Sequence, residues 1–272
     1  MPELPEVETT RRGIQPFVEG ETISKMTVRH RGLRWPVPDG LETLINGQQV
    51  HQVARRAKYL LLKCDRGTLM IHLGMSGRLR VLDNDDNIAK HDHVDIFFSN
   101  GKVLRLTDPR RFGAVLWSED NIDQHPLLTH LGPEPLSEAF DGDYLYQRAK
   151  GRSSNIKSFI MNGEIVVGVG NIYANEALFL AGIHPAKAAG KISKAKMQKL
   201  VDAIKLVLDK ALLAGGTTLR DFRKSDGKPG YFSQELHVYG RQDQPCLSCQ
   251  QPILCIRQAQ RATYYCKQCQ PR

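Results

Sequence analysis

Near the carboxyl end, Cys246-x-x-Cys249 and Cys266-x-x-Cys269 are separated by sixteen residues, and this quartet constrains the fold more than any other feature of the chain. Each Cys-x-x-Cys doubles the backbone back so that two thiolates reach one ion, and four thiolates close a tetrahedral shell with no position left for water. The spacing predicts one structural zinc ion with Cys246, Cys249, Cys266 and Cys269 as its ligands. A segment of about thirty residues buries too little apolar surface to fold unaided, so the metal is expected to supply its folding energy. Between the pairs, residues 258–265 read as a hairpin presenting Arg261, which taken alone is equally a surface cation. Cys255 and Cys64 read as packing residues rather than ligands.

Charge points to the kind of partner. Among 272 residues, 38 Lys and Arg against 29 Asp and Glu leave a net charge of +9, which favours a polyanion. No apolar run reaches the ~18 residues needed to cross a bilayer, and the amino terminus lacks a basic-then-apolar leader. A cytoplasmic protein without a membrane partner is therefore expected, and in that compartment the cysteines favour metal over disulfides. Nothing in the sequence marks an obligate oligomer, so the expectation is a monomer.

Hydrophobic periodicity divides the chain. Residues 5–19 predict an amphipathic helix with Val7, Ile14, Phe17 and Val18 near one face. Short alternating or β-branched runs at 22–30, 58–64, 68–73, 78–82, 93–99, 103–107 and 114–117 predict strands of a sandwich or barrel. After Trp117 the period becomes helical, with helices predicted at 143–150, 154–162, 171–181 and 193–214, and Gly132-Pro133-Glu134-Pro135 reads as a linker. The stretch from Gly215 to Phe232, rich in Gly, hydroxyl and basic residues, reads either as a functional loop or as a solvated connector.

The chain opens Met1-Pro2-Glu3-Leu4-Pro5-Glu6. Removal of Met1 would expose the secondary amine of Pro2, with a pKa near or somewhat above 8, beside two carboxylates. Such an amine attacks sugar or carbonyl carbons to give an iminium that has no N–H to lose and stays cationic as an electron sink. Glu3 or Glu6 could then protonate a sugar oxygen. The same hexapeptide also suits a helix start, where proline loses nothing by lacking N–H and glutamates favour the positive end of the dipole.

These features come together in one family resemblance. The motifs Pro2-Glu3-Leu4-Pro5-Glu6-Val7-Glu8, Arg55-Arg56-Ala57-Lys58-Tyr59-Leu60, His72-Leu73-Gly74-Met75-Ser76-Gly77, Thr107-Asp108-Pro109-Arg110-Arg111-Phe112-Gly113, Gly168-Val169-Gly170-Asn171-Ile172-Tyr173-Ala174 and Ser225-Asp226-Gly227-Lys228-Pro229-Gly230-Tyr231-Phe232 occur in that order before the cysteine quartet. With them the chain closely resembles bacterial formamidopyrimidine-DNA glycosylase over nearly its whole length.

The resemblance implies an α+β fold of two domains, an N-terminal β-sandwich flanked by helices and a helix-two-turns-helix domain ending in a four-cysteine β-hairpin zinc finger. The expected divisions are 1–133, 134–222, a connector at 223–237, and 238–272. It also implies excision of oxidised purines from damaged duplex DNA in the bacterial cytosol or nucleoid, followed by β- and δ-elimination. Pro2 is then the nucleophile, Glu3 the proton donor to the sugar, Lys58 a group near the lesion or its phosphates, and Glu6 a helper. Met75, Arg110 and Phe112 correspond to the wedge that fills the space left by an everted nucleotide, an eversion the chemistry requires because C1′ is shielded in a stacked duplex. Asn171 and Arg261 correspond to a phosphate grip joined by His72, Lys157 and Tyr173. His91 corresponds to a further DNA contact, which displaces a metal reading of His91-Asp92-His93. The loop at 217–232 corresponds to the part that closes over the everted base.

Two other readings remain. An endonuclease VIII-like glycosylase for oxidised pyrimidines would use the same Pro2 and Glu3, although Leu4, Arg110-Arg111-Phe112 and the long 217–232 loop favour the purine enzyme. A noncatalytic zinc-ribbon DNA binder would account for charge and quartet but leave Pro2-Glu3 unexplained.

Overall fold

A computed structural model describes residues 2–83, 87–218 and 236–272. They fall into two compact units, the first formed chiefly by Met1–Thr129 and the second by His130–Leu213 with the carboxyl-terminal residues from 236.

In the first unit, α1 (Leu4–Val18) begins where Pro5 and Glu6 favour a helix start. Glu6 Oε2 accepts the Glu3 backbone N–H at 2.8 Å as part of a capping box, satisfying an amide that a helix leaves without an internal partner. The apolar positions Val7, Ile14 and Val18 are buried. Two antiparallel four-stranded sheets follow. One has the order β1 (Ile23–Val28), β6 (Asp92–Phe98), β7 (Val103–Thr107), β5 (Arg78–Leu82); the other has β2 (Val50–Arg56), β3 (Tyr59–Cys64), β4 (Thr68–His72), β8 (Ala114–Ser118). One apolar core joins them, with Leu60, Leu62, Leu69 and Ile71 from one sheet meeting Val94, Ile96, Leu104 and Leu106 from the other. This is a β-sandwich.

The sandwich also buries charge. Arg105 on β7 is 1% exposed and donates from Nε and Nη2 to Asp95 at 2.8 and 2.7 Å, while Arg29 donates to the same carboxylate at 2.6 Å. Burial pushes the Asp95 carboxyl up, but the guanidinia of Arg105 and Arg29 more than offset this and hold it below its ordinary range.

The second unit packs α3 (Gly142–Ala149), α4 (Ile156–Ile160), α5 (Asn171–Leu180) and α6 (Lys194–Thr218) around Phe140, Ile160, Ala174, Leu178, Leu200 and Ile204. Between α4 and α5 the chain makes a hydrogen-bonded turn, in which Asn162 O accepts from the Ile165 and Val166 N–H groups, and then bends at Gly168. The result is the helix-two-turns-helix arrangement. The antiparallel hairpin β9 (Ile253–Gln258) and β10 (Arg261–Cys266) completes the unit.

Sequence periodicity located most of these elements, although the hairpin expected at 258–265 spans 253–266 and two short 3-10 turns, at 122–124 and 189–191, were not expected. The short helix α2 (Leu41–Ile45) and strand β2 were not expected, and α6 runs four residues beyond its predicted end at 214. Residues 219–232 of the expected loop lie outside the described residues.

Candidate active site and nucleic-acid interface

In the first unit, the start of α1 and the Lys58 turn are held at one end of the sandwich by one ion pair and two hydrogen bonds from arginines to backbone carbonyls. Arg11 donates to Val53 O on β2 at 3.1 Å, and one helical turn earlier Glu8 accepts from Arg55 Nε at 3.1 Å. Arg55 in turn donates from Nη1 to Ala57 O at 2.9 Å. The helix thus runs antiparallel to β2, bringing its amino terminus toward the two-residue turn Ala57-Lys58. Burial raises the Glu8 carboxyl, and Arg11, Arg12 and Arg55 together bring it below its ordinary value. Glu3 is buried, whereas Pro2 and Lys58 are half-buried.

His72 closes β4. Its Nδ1 accepts the Gly74 N–H at 3.0 Å and its ring tilts against Tyr59 with centroids 4.8 Å apart. Burial, reinforced by the positive charges of Lys58 and Arg34, pushes its pKa down to about 4. The ring is therefore neutral near pH 7, and with Nδ1 occupied as an acceptor its proton resides on Nε2, a hydrogen-bond donor without charge.

Two loops follow from this point. Met75 and Phe112 are 39% and 42% exposed, unusual for large apolar side chains, and the Arg110 guanidinium lies over the Phe112 ring at 4.8 Å. The loops touch backbone to backbone, since a Cβ at Gly74 would land on the Phe112 carbonyl. His91 is half-buried, its carbonyl accepting the Asp108 N–H at 3.0 Å, and its ring meets His93 edge to face. The described residues thus place His72, Met75, His91, Arg110 and Phe112 on one connected set of loops.

In the second unit, Asn171 Nδ2 donates to Ala262 O at 3.1 Å, fastening the first turn of α5 to the hairpin beside Arg261. Lys157, which the resemblance places in the phosphate grip, aims its ammonium at the hairpin. It is 1% exposed, and its Nζ donates to Ala262 O at 2.9 Å and Thr263 Oγ1 at 2.7 Å, because a buried ammonium requires such partners. Tyr173 is likewise buried, in the helical core. Arg261 is exposed, immediately after the tight turn Ala259-Gln260.

The four cysteine sulfurs lie within 4.8 Å of one another, with Cys249 and Cys266 at 3.3 Å and Cys246 and Cys269 at 3.9 Å. A tetrahedron with metal–sulfur distances of ~2.3 Å has edges of about 3.8 Å, so the quartet can hold one metal ion. Glu176 secures the approach to it: its carboxylate accepts the backbone N–H groups of His237, Val238 and Tyr239 at 2.8–2.9 Å. Neighbouring Asn175 accepts the Tyr264 N–H at 2.8 Å. Sequence reasoning singled out neither residue, nor Glu8 and Asp108 in the first unit, because what marks them is burial and converging partners, and neither is visible before the chain folds. By contrast, burial and the negative charge of Asp65 push the Cys64 thiol up to about 12, in keeping with a packing role.

The sandwich and the helix-two-turns-helix unit with its cysteine ribbon define a two-domain protein of the helix-two-turns-helix class. Residues 1–115 match the family model for the formamidopyrimidine-DNA glycosylase N-terminal domain, and residues 131–223 match that for the formamidopyrimidine-DNA glycosylase H2TH domain. The chain belongs to the formamidopyrimidine-DNA glycosylase family. It is 57% identical over 270 residues to the formamidopyrimidine-DNA glycosylase of Stutzerimonas stutzeri, covering 99% of this chain and 100% of that one. Against the Escherichia coli protein of the same name the identity is 56% with the same coverage. Among solved structures, the MutM (Fpg) protein of Thermus thermophilus superimposes with a TM-score of 0.85 at 36% identity, covering 99% of this chain and 98% of the other. Lactococcus lactis Fpg (MutM) in complex with DNA containing N7-benzyl-Fapy-dG gives 0.90 at 32% identity, with both chains fully covered.

Proposed function

We propose that this chain is a base-excision repair glycosylase that removes oxidised purines from damaged duplex DNA and then cleaves the strand. Family membership and high identity to glycosylases along the full chain support the activity. The observation that carries the chemistry is the start of α1, where a capped helix holds the Glu3 backbone and buries its side chain beside Pro2.

Once Met1 is removed, the Pro2 nitrogen lone pair forms a bond to C1′ while the bond from C1′ to the damaged base breaks, and the base leaves with the proton that the prolyl nitrogen sheds on bonding. Glu3 supplies a proton to the sugar ring oxygen as the ring opens, giving a cationic iminium. Loss of a C2′ proton then expels the 3′ phosphate, and a second elimination expels the 5′ phosphate. Glu6 assists by capping the helix that presents Pro2, and Lys58 lies near the lesion or its phosphates. Met75, Arg110 and Phe112 fill the space vacated by the everted nucleotide, offsetting part of an unstacking cost of a few kcal/mol. His72, Lys157, Asn171, Tyr173 and Arg261 form the phosphate grip, and His91 makes a further DNA contact. Zinc, held by the four cysteines, is structural, because four thiolates leave it no open position. The divisions at 1–133, 134–222, 223–237 and 238–272 follow these roles.

Borohydride added during reaction with an 8-oxoguanine duplex tests this reading. The expected result is a covalent protein–DNA adduct, impaired in Pro2→Gly and lost in Glu3→Gln with DNA binding retained. Absence of an adduct with the mature wild-type protein would overturn it in favour of a DNA binder. A second reading draws on Lactococcus lactis Fpg, which has been solved with DNA containing an oxidised pyrimidine. Excision rates on matched duplexes carrying either lesion decide whether purines are preferred, and a pyrimidine preference would overturn the purine assignment.

A further inference from the structure

Asp108 is fully buried, and its polar groups together reach three segments of the first unit. Its Oδ1 accepts from Ser76 Oγ at 2.7 Å and its Oδ2 accepts the Gly113 N–H at 2.8 Å. Its carbonyl accepts from His93 Nε2 at 2.9 Å and from the Arg111 N–H at 3.2 Å, while its own N–H donates to His91 O at 3.0 Å. Ser76 Oγ also accepts the Arg110 N–H at 3.2 Å, so one hydroxyl bridges the Asp108 carboxylate and the neighbouring loop. Met75 precedes Ser76, and Phe112 precedes Gly113, so the two arms of one carboxylate end beside the two exposed apolar side chains.

The packing around this centre allows little slack. A Cβ at Gly113 would crowd both the His72 carbonyl and Asp108 Oδ2, and one at Gly77 would strike the Leu73 carbonyl. Arg111 takes a left-handed backbone with φ of 57°, a conformation costly for a residue with a Cβ and retained only where its surroundings enforce it. Asp108 supplies part of that enforcement through its carbonyl.

We infer that Asp108 and Ser76 form a clasp that fixes Met75, Arg110 and Phe112 as one preorganised wedge, making both positioning residues for eversion of the damaged nucleotide. The inference rests on the glycosylase reading above. Its physical content is that an apolar side chain driven into a base stack must not recoil, because conformational freedom in the wedge would be lost on insertion and would subtract from the energy available for unstacking. A carboxylate buried with hydrogen bonds to both loops provides that stiffness without touching DNA.

The test compares two substrates. One is a duplex with 8-oxoguanine opposite cytosine, in which a stacked base must be displaced; the other is a single strand with a preformed abasic site, in which none must be. In Ser76→Ala, which removes one oxygen, single-turnover excision from the duplex is expected to fall about tenfold or more, while borohydride trapping at the abasic strand changes less than about twofold. Ser76→Thr, which keeps the hydroxyl at a half-exposed position, is expected to restore the ratio. Asp108→Asn should show the same split as Ser76→Ala. With 2-aminopurine opposite the lesion, the fluorescence rise on binding should shrink in Ser76→Ala. Equal losses on both substrates, or no loss on either, would overturn the clasp. If wild-type protein is trapped on neither substrate, the glycosylase reading itself fails, a distinct outcome.

Discussion

At the scale of single residues, His72 shows how burial selects a chemical state. A folded-state pKa of about 4 lies below the ~6.5 of an unfolded histidine, so the native state favours the neutral ring. Its contribution to stability is complete above pH ~6.5 and is lost as pH falls toward 4, at up to about 1.4 kcal/mol per pH unit. Urea unfolding between pH 7 and 4 should therefore show a steeper loss in wild-type protein than in His72→Gln, and parallel curves would refute the assignment. The motif containing this histidine was legible in the sequence, but its tautomer was not, because that depends on the Gly74 amide and the charges of Lys58 and Arg34. Asp108 escaped sequence reading for a related reason: its partners at 76, 91, 93 and 113 converge only in the fold.

At the scale of elements, the turn between β9 and β10 is strained. Ala259 and Gln260 both have left-handed φ, 44° and 61°, as a type I′ hairpin turn demands, although such turns favour Asn-Gly. Replacing the pair by Asn-Gly should stabilise the ribbon by about 1 kcal/mol while leaving the Arg261–Gln258 register unchanged. A thermal midpoint that stays put or falls would contradict this. The elements most legible in the sequence were compact apolar runs bounded by turn residues, such as β4 and β7, and the apolar stretch of α5, all buried nearly throughout. Strand β2 was not, since a register shift between Val50 and Gln52 breaks its alternation and leaves a buried–exposed–exposed–buried order. Helix α6 outruns the end expected at 214 because the Gly- and hydroxyl-rich composition from Gly215 onward reads as loop, whereas a glycine late in a long helix costs only about 1 kcal/mol relative to alanine.

At the scale of the whole molecule, a net charge of +9 and exposed cations in both units set how binding responds to salt. Each phosphate contact releases condensed counterions, so affinity for a lesion duplex should drop about tenfold or more between roughly 50 and 200 mM salt. Affinity insensitive to salt would argue against a phosphate grip. The two-domain organisation was legible from the change of period after Trp117, and the ribbon from its cysteines. What joins ribbon to helices was not, because Glu176 carries no pattern in sequence and is identified only by the three amides it receives. That carboxylate has a consequence for what happens when the ion is stripped away. The stem leading into the cysteines is moored to α5 by contacts that involve no thiolate, so a ribbon that unfolds on losing its metal should stay tethered where it refolds instead of drifting as a free tail. Chelation should accordingly be reversible: zinc returned to the stripped wild-type protein restores DNA binding within minutes, whereas Glu176→Ala, its mooring cut, recovers slowly and incompletely.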